Sequence, residues 1–306
     1  MKAIISGPGR VKRKNTHRYF IAPALTTLLA ITFIPFLFAI FISLHRLNLL
    51  EGGKFVFTGL GNYAAFFRDE RAINAVFVTL QYGALAIAMQ VALGVVVSLL
   101  IDRRFKFKAL FRSLLIMPMF MPPVITGLIW RTFFDPLNGI INYYLGFIGL
   151  GNRIDWLGST GTALLSIVIA DSWQWTPFMI LLFTATLDSV PEDLYEAAYV
   201  SGASERHIIQ YVKLPLLVPT IFLAAVLRLI DVMKAFDLIY VMTKGGPGGS
   251  TETINMYAYI VGFNFFRIGN ATAISYTFTL GVTVVLAFIV SKILRRQLGG
   301  GGAWSW

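Results

Sequence analysis

Two groups of polar side chains interrupt an otherwise apolar sequence. The first is the continuous stretch 191–215, PEDLYEAAYVSGASERHIIQYVKLP, which separates two long apolar runs. Pro191 suits the first position of a helix, and Glu192 and Asp193 complement the dipole of its first turn. These acids are better explained by a helix that docks onto a soluble partner than by acid–base chemistry.

One face of this predicted helix carries small residues. This face consists of Leu194, Ala197, Ala198 and Ser201, whose spacing i, i+3, i+4 and i+7 puts them on the same side of a helix. Gly202 suits the C-terminal cap, and Ser204 suits the N-cap of a second short helix that ends before Pro215. We predict two short helices at an angle, with a smooth face that a partner can approach closely.

The second group lies inside apolar runs, where an ionisable or amide group is costly unless it faces protein or water. It comprises Asp171, Trp173, Gln174, Trp175, Arg228 and Asp231. Acceptors and donors beside aromatic faces suit a sugar, but hydrogen bonding and packing between helices explain the first four residues equally well. The i, i+3 spacing of Arg228 and Asp231 favours a structural ion pair on a helix that faces the bundle interior or a passage through it.

Motifs for catalysis and metal binding are absent from the sequence. There are no cysteines, the three histidines are scattered at His17, His45 and His207, and neither H-E-x-x-H nor G-x-S-x-G occurs. The glycine-rich residues 245–250 lack the lysine and following helix of a phosphate-binding loop. We therefore predict no catalytic residue, no metal and no cofactor bound by this chain.

The elements that must position these groups are membrane-spanning helices. Hydrophobic residues make up 57% of the 306 residues and charged residues only 13%, about half of the ~25% typical of soluble domains. Several apolar runs are near or above the ~18 residues that cross a bilayer. The predicted fold class is an all-α integral membrane protein with six transmembrane helices, at about 20–44, 73–101, 114–134, 162–187, from 216, and 273–294.

Prolines and glycines mark the irregular parts of the chain. Pro118, Pro122 and Pro123 interrupt the third helix, as a gate hinge or a packing kink. Residues 45–72 and 135–161 are predicted as outer loops. The apolar run 254–266, of 13 residues, is too short to span and indicates a helix that dips partly into the membrane.

Lysine and arginine predict the orientation. Residues 1–19 carry six of them and no acid, and five follow the second helix. Both termini are thus predicted to be cytoplasmic, as is 191–215 by helix parity. The net charge of +11 follows this membrane pattern and does not indicate nucleic acid. The domain plan is a basic tail (1–19), a first helix with outer loop (20–72), a core (73–296) with the outer segment 236–272, and a flexible end (297–306).

The stretch 191–215 also contains a spaced signature. Glu196-Ala197-Ala198 is followed after three intervening residues by Gly202, after nine more by Val212, and after one more by Leu214-Pro215. This resembles the EAA motif of ABC importer permeases, in which isoleucine usually stands where this chain has Val212. In that family the motif lies in a cytoplasmic loop that plugs into the ATPase.

Three further segments resemble the carbohydrate-uptake branch of that family, of which the maltose permeases are best known. They are 59–63 (GLGNY), 135–142 (DPLNGIIN) and 236–247 (FDLIYVMTKGGP). Lys244 replaces a glycine that is common in the last motif of the branch. The resemblance covers roughly residues 20–296.

The resemblance implies a type I ABC importer permease fold and a non-catalytic subunit that passes a di- or oligosaccharide into the cytoplasm. The implied partners are a second homologous permease, two ATPase subunits that bind ATP and Mg, and an extracytoplasmic sugar-binding protein, in the plasma membrane of a prokaryote. ATPase docking is expected of Glu192, Glu196, Ala197, Ala198, Gly202, Leu214 and Pro215. The substrate pathway is expected among the six polar and aromatic residues of the second group.

Two other classes of function stay open on the sequence. A membrane-embedded transferase would need acids or histidines clustered near the membrane surface, whereas the acids here are concentrated in 191–215. An autonomous ion-coupled carrier would show inverted repeats with matching broken helices, and no internal repeat is evident. Co-purification of an ATPase separates a permease subunit from both.

Overall fold

The computed structural model describes residues 16–102, 106–149 and 153–299. In chain order its helices are α1 (Thr16–Ser43), α2 (Gly61–Arg68), α3 (Glu70–Ile101), α4 (Lys108–Ile116), α5 (Pro123–Phe133), α6 (Ile140–Phe147), α7 (Ala163–Asp188), α8 (Glu192–Val200), α9 (Glu205–Ile208), α10 (Leu214–Val232), α11 (Asp237–Met242), α12 (Ile254–Tyr259) and α13 (Ile268–Gly299). An antiparallel hairpin, β1 (His45–Arg46) and β2 (Val56–Phe57), follows α1. Residues 1–15 of the predicted basic tail and 300–306 of the predicted flexible end lie outside the described residues. The remaining parts of those two segments, 16–19 and 297–299, are helical and belong to α1 and α13.

Five helices within the described residues are long and apolar enough to cross a membrane. They are α1, α3, α7, the helix Glu205–Val232 and α13. A sixth candidate consists of Lys108–Phe120 and Pro123–Phe133, which meet at an angle of 98°. The prediction of an all-helical fold with six spans is confirmed when this bent pair is counted as one span.

The predicted interruption of the third helix, 114–134, is confirmed, and the chain there forms two pieces that meet at 98°. α4 begins at Lys108, a 3-10 turn covers Met117–Phe120, and α5 begins at Pro123. Pro122 has extended backbone with ψ of 138°, because a residue that precedes proline is pushed out of the helical region. The paired prolines therefore turn the chain sharply instead of kinking one helix.

Two segments predicted as loops contain secondary structure. Residues 45–72 form the hairpin and α2, and α6 lies within 135–161. The buried amide of Asn62, in the GLGNY sequence, donates to the carbonyls of Ser43 at 2.8 Å and His45 at 2.9 Å. These bonds fix α2 against the end of α1, so the sequence motif acts as a tertiary anchor.

The second short helix predicted within 191–215 is wrong as a separate element. α9, a π-helical turn at Ile209–Lys213 and α10 form one helix, Glu205–Val232. A proline ring clashes with the carbonyl four residues earlier, which here belongs to Tyr211. The π turn, in which the Leu214 N–H bonds to the Ile209 carbonyl, widens the backbone at that point. Pro215 is thereby accommodated without ending the helix.

α3 and α7 pack together around a glycine. A Cβ atom added at Gly94 of α3 would lie 2.5 Å from the Cβ of Met179 and 3.0 Å from the Phe183 ring. Met179 and Phe183 are themselves fully buried. The missing side chain lets the two helices approach closely, as small residues do between membrane helices.

We expect Gly94→Ala to destabilise the purified protein by ~1–3 kcal/mol, because it overpacks this contact. Gly281→Ala in α13 is the matched control, since a Cβ atom there meets nothing within 4 Å. Both changes replace a helical glycine, so helix propensity cancels between them. Thermal unfolding in detergent measures the difference, and equal midpoints for the two variants would contradict the packing argument.

Candidate functional site

A buried ion pair lies between α7 and α10. Nη2 of Arg228 lies 2.7 Å from both carboxylate oxygens of Asp171, and Nη1 donates to Asp231. The side chains of Arg228 and Asp171 are 3% and 7% exposed, whereas that of Asp231 is 52% exposed. The predicted pairing of Arg228 with Asp231 is confirmed, and Asp171 is the more deeply buried partner of the same arginine.

Gln90 of α3 completes this cluster, and sequence reasoning missed it. Its side chain accepts a hydrogen bond from Arg228 Nε at 2.9 Å and donates one to Asp171 at 2.8 Å. An amide can do both at once, so Gln90 bridges the acid and the base. A signal was present in the sequence, because a glutamine in the middle of an apolar run requires a polar partner.

The cluster borders a cavity of about 140 Å³. Trp175 lines this cavity, and the Arg228 guanidinium carbon lies 4.5 Å from the centroid of its indole ring, a cation–π contact. The other polar residues in the wall are Tyr82, Asp171, Gln174, Asp231, Lys234 and Asp237. An aromatic surface, carboxylates and cations therefore meet in one small space inside the bundle.

Gln174 makes a hydrogen bond to the backbone at the proline break. Its buried amide donates to the carbonyl of Met121 at 2.7 Å. Met121 directly precedes Pro122 and Pro123, which supply no N–H to a helical ladder. Of the two alternatives left open by the sequence, this contact favours helix–helix hydrogen bonding for Gln174, although the residue also touches the cavity.

Trp173 lies away from the cavity. Residues two apart on a helix point in nearly opposite directions, so Trp173 faces away from Asp171 and Trp175. Its ring meets that of Trp130 of α5 edge to face, with 6.0 Å between centroids. The structure thus brings together five of the six predicted pathway residues and leaves Trp173 as a packing residue.

The predicted docking helix is α8, and its cap has the predicted geometry. Gly202 follows it with φ of +80°. The N–H of Gly202 bonds to the Tyr199 carbonyl at 2.9 Å, and that of Ala203 to the Ala198 carbonyl at 3.0 Å, the pair of bonds that defines a Schellman cap. Ser204 occupies the predicted N-cap position before Glu205, but its hydroxyl pairs with His207 and makes no capping bond to a backbone N–H.

The surface of α8 is open. Leu194, Glu196, Ala197 and Ser201 are exposed, Ala198 is half-buried, and Val200 is 90% exposed. The side chain of Glu192 lies outside the described residues. Leu214 and Pro215 belong to the start of α10, and Pro215 is exposed, so their docking role stays a prediction.

Two tyrosines connect α8 to the rest of the chain. Tyr199 donates to Glu205 at 2.7 Å, and this bond raises the pKa of the Tyr199 hydroxyl. Burial, reinforced by the nearby Asp102 carboxylate, raises the pKa of Tyr195. Both phenols therefore stay neutral at physiological pH.

A second ion pair lies at the end of the bundle opposite α8, and the sequence analysis did not predict it. Arg71, at the start of α3, donates to both carboxylate oxygens of Glu252 at 2.8 and 2.7 Å, and Glu252 is buried. This pair holds the glycine-rich residues 245–249 against α3. Lys244, where the related branch commonly has glycine, adopts φ of +54°, a conformation that glycine reaches without strain.

Comparison with known proteins gives one family and several relatives of similar length. Residues 90–300 match the family model described as binding-protein-dependent transport system inner membrane component. A probable ABC transporter permease protein, y4oQ, of Sinorhizobium fredii is 37% identical over 284 residues, which cover 92% of this chain and 91% of that protein.

Two further similarities extend this result. The trehalose/maltose transport system permease protein MalF of Thermococcus litoralis is 35% identical over 282 residues, which cover 90% of this chain and 93% of that protein. A crystal structure of a bacterial ABC transporter that imports alginate contains a chain with a TM-score of 0.80 and 23% identity, over 94% of this chain and 97% of that one. This structural likeness confirms the fold.

We expect Arg228→Met to destabilise the protein by ~3–5 kcal/mol, because it leaves the buried Asp171 carboxylate without its cation. Adding Asp171→Asn should recover part of the loss, since no unpaired buried charge remains. Arg46→Met is the control, because it breaks an ion pair with Glu51 that is exposed on both sides. Thermal unfolding in detergent reports all three, and a double variant less stable than Arg228→Met would contradict this assignment.

Proposed function

Because this chain belongs to the family of binding-protein-dependent inner membrane transport components, we propose that it passes a sugar across the membrane for an ATP-driven importer. The chain itself hydrolyses nothing. Partner ATPase subunits bind ATP and Mg and act on it through α8. A second, homologous permease and an extracytoplasmic sugar-binding protein complete the complex.

The observation that carries this proposal is the open, capped helix α8. This helix has nine residues and exposes the apolar side chains of Leu194 and Val200 to water, which is unfavourable. A partner that covers the helix removes these side chains from water. Its smooth Ala197–Ala198 side permits close approach of a second backbone. Because the chain belongs to a family of transport components, we propose that the partner that binds this surface is the ATPase subunit.

The orientation follows from the same assignment. A surface for an ATPase faces the cytoplasm, so the opposite end, with the hairpin and the glycine-rich residues 245–249, faces outward. We propose that both termini are cytoplasmic as well. An even number of spans and the concentration of lysine and arginine in the sequence both support this orientation.

The sugar class rests on two independent supports. Relatives that align over nine-tenths of this chain are named as transporting trehalose or maltose and trehalose. Within this chain, the cavity beside Trp175 offers an aromatic face next to the carboxylates of Asp171 and Asp231. A pyranose needs both surfaces, because its C–H face is apolar and its hydroxyls seek hydrogen-bond partners. We propose a di- or oligosaccharide as the substrate.

Gly202→Asp should uncouple the chain from its ATPase, because it strains the cap that ends α8. Gly52→Asp is a matched control on the hairpin: the two glycines have φ of +80° and +83°, and a Cβ atom at either meets nothing within 4 Å. We expect Gly202→Asp to reduce co-purified ATPase at least tenfold, ~1.4 kcal/mol of binding, and Gly52→Asp to retain it. Equal retention by both variants would refute the docking role.

Trp175→Ala should weaken sugar transport, and Trp173→Ala should not. Both changes remove an indole from α7, but only Trp175 lines the cavity. We expect Trp175→Ala to raise the KM for uptake of trehalose or maltose about tenfold, ~1.4 kcal/mol of binding, with basal ATPase activity unchanged. If the two variants transport both sugars alike, this cavity is not on the substrate pathway.

A further inference from the structure

A buried lysine lies next to α8 and is not one of the residues assigned to docking. The Lys213 side chain is 8% exposed, and its ammonium lies 2.8 Å from Asp102 Oδ2 and 3.2 Å from Glu205 Oε1. A lysine is rarely buried unless it is paired. Lys213 is paired twice, which makes it the centre of a local cluster.

The end of α3 and the helix Glu205–Val232 meet at this ammonium. Asp102 directly follows α3, Glu205 is the first residue of α9, and Lys213 is the last residue of the π turn that leads into α10. α8 joins through its aromatic residues: the Tyr195 ring centroid lies 5.3 Å from the ammonium, and Tyr199 donates to Glu205. α8 is thereby connected to α3 and α10 through one charged group.

The π turn explains why Lys213 faces Glu205. In an ideal α-helix, residues eight apart are rotated by roughly 80° from each other, whereas residues seven apart share a face. The π turn contains one extra residue, so Glu205 and Lys213, which are eight residues apart, point in the same direction as residues seven apart do in an ideal α-helix. The same distortion that accommodates Pro215 therefore aligns the lysine with the acid, and π turns recur at functional sites for such reasons.

The charge balance makes the cluster depend on the ammonium. One cation stands between two carboxylates, in a groove of about 830 Å³ whose wall also includes Asp188, Glu196 and Lys108. Without Lys213, the Asp102 and Glu205 carboxylates would repel each other at low local dielectric. The end of α3 and the start of α9 would then separate, and Tyr199 would move with Glu205.

We propose that Lys213 is the positioning residue that transmits movement of α8 to the membrane helices α3 and α10. The inference rests on the proposed coupling of α8 to an ATPase. Docking itself uses the outer surface of α8, whereas transmission requires that α8 and the two long helices move as one body. Lys213 thus governs the yield of transport per ATP, not the affinity for the ATPase.

The test uses the complete transporter, purified and placed in proteoliposomes, with trehalose and maltose as probes. Lys213→Met should leave co-purified ATPase at the wild-type level, reduce uptake at least tenfold, an effect of ~1.4 kcal/mol, and abolish stimulation of ATP hydrolysis by sugar. Lys54→Met, at an exposed lysine near the hairpin, is the control and should change none of these.

A charge exchange distinguishes positioning from a general requirement for folding. Asp102→Lys and Lys213→Glu should each lose uptake. The two combined with Glu205→Gln should restore it, because the attraction between the end of α3 and the start of α10 is rebuilt with opposite signs and residue 205 no longer repels the new carboxylate at position 213. Normal uptake by Lys213→Met, loss of its co-purified ATPase, or failure of the exchange to restore uptake would each overturn the proposal.

The outcome for Gly202→Asp separates this inference from the proposed function. If Gly202→Asp keeps its ATPase and its uptake, the docking role of α8 fails, and the transmission role of Lys213 fails with it. If Gly202→Asp loses the ATPase while Lys213→Met transports normally, docking stands and only the role of Lys213 is refuted.

Discussion

The architecture depends on one constraint, that a guanidinium buried in an apolar bundle must be paired. Arg228 satisfies it with Asp171 of α7 and Gln90 of α3, so three long helices converge on a single side chain. None of these groups can leave the cluster without exposing a charge to an apolar interior. The cluster fixes the rotation of each helix, and that rotation decides which residues of α7 reach the cavity and which pack elsewhere.

The same principle operates at both ends of α3. Arg71 at its start pairs with the buried Glu252, and Asp102 after its end pairs with the buried Lys213. With 32 residues, α3 is about 48 Å long at ~1.5 Å per residue, longer than the ~30 Å hydrocarbon core. Its two ends can therefore extend beyond the hydrocarbon core on either side, while Gln90 belongs to the buried centre. One rigid helix thus connects three ion-pair clusters.

Prolines determine the backbone shape in two further segments of the bundle. Pro122 and Pro123 turn α4 away from α5, and the broken backbone is held by the Gln174 amide. Pro215 has the opposite outcome, since the π turn before it lets the helix continue. Pro123 also forces the residue before it, Pro122, out of the helical region, so the chain bends there. Pro215 is a single proline inside a helix, and one widened turn accommodates it. The first outcome produces the bend between α4 and α5. The second produces the π turn that contains Lys213, the residue next to α8.

The sequence by itself determined the apolar spans, the capped helix α8 and the Arg228–Asp231 pair, because each arises from residues close together in the chain. Hydropathy, a glycine cap and an i, i+3 pair are local signals. Only the tertiary structure decided that Asp171 rather than Asp231 is the buried partner, that Gln90 and Lys213 are central, and that Trp173 faces away from the cavity. Gln90 and Arg228 are 138 residues apart, and no local pattern specifies which distant helices meet. That choice follows from close packing, as at Gly94 against Met179, and from the requirement that every buried charge find its partner.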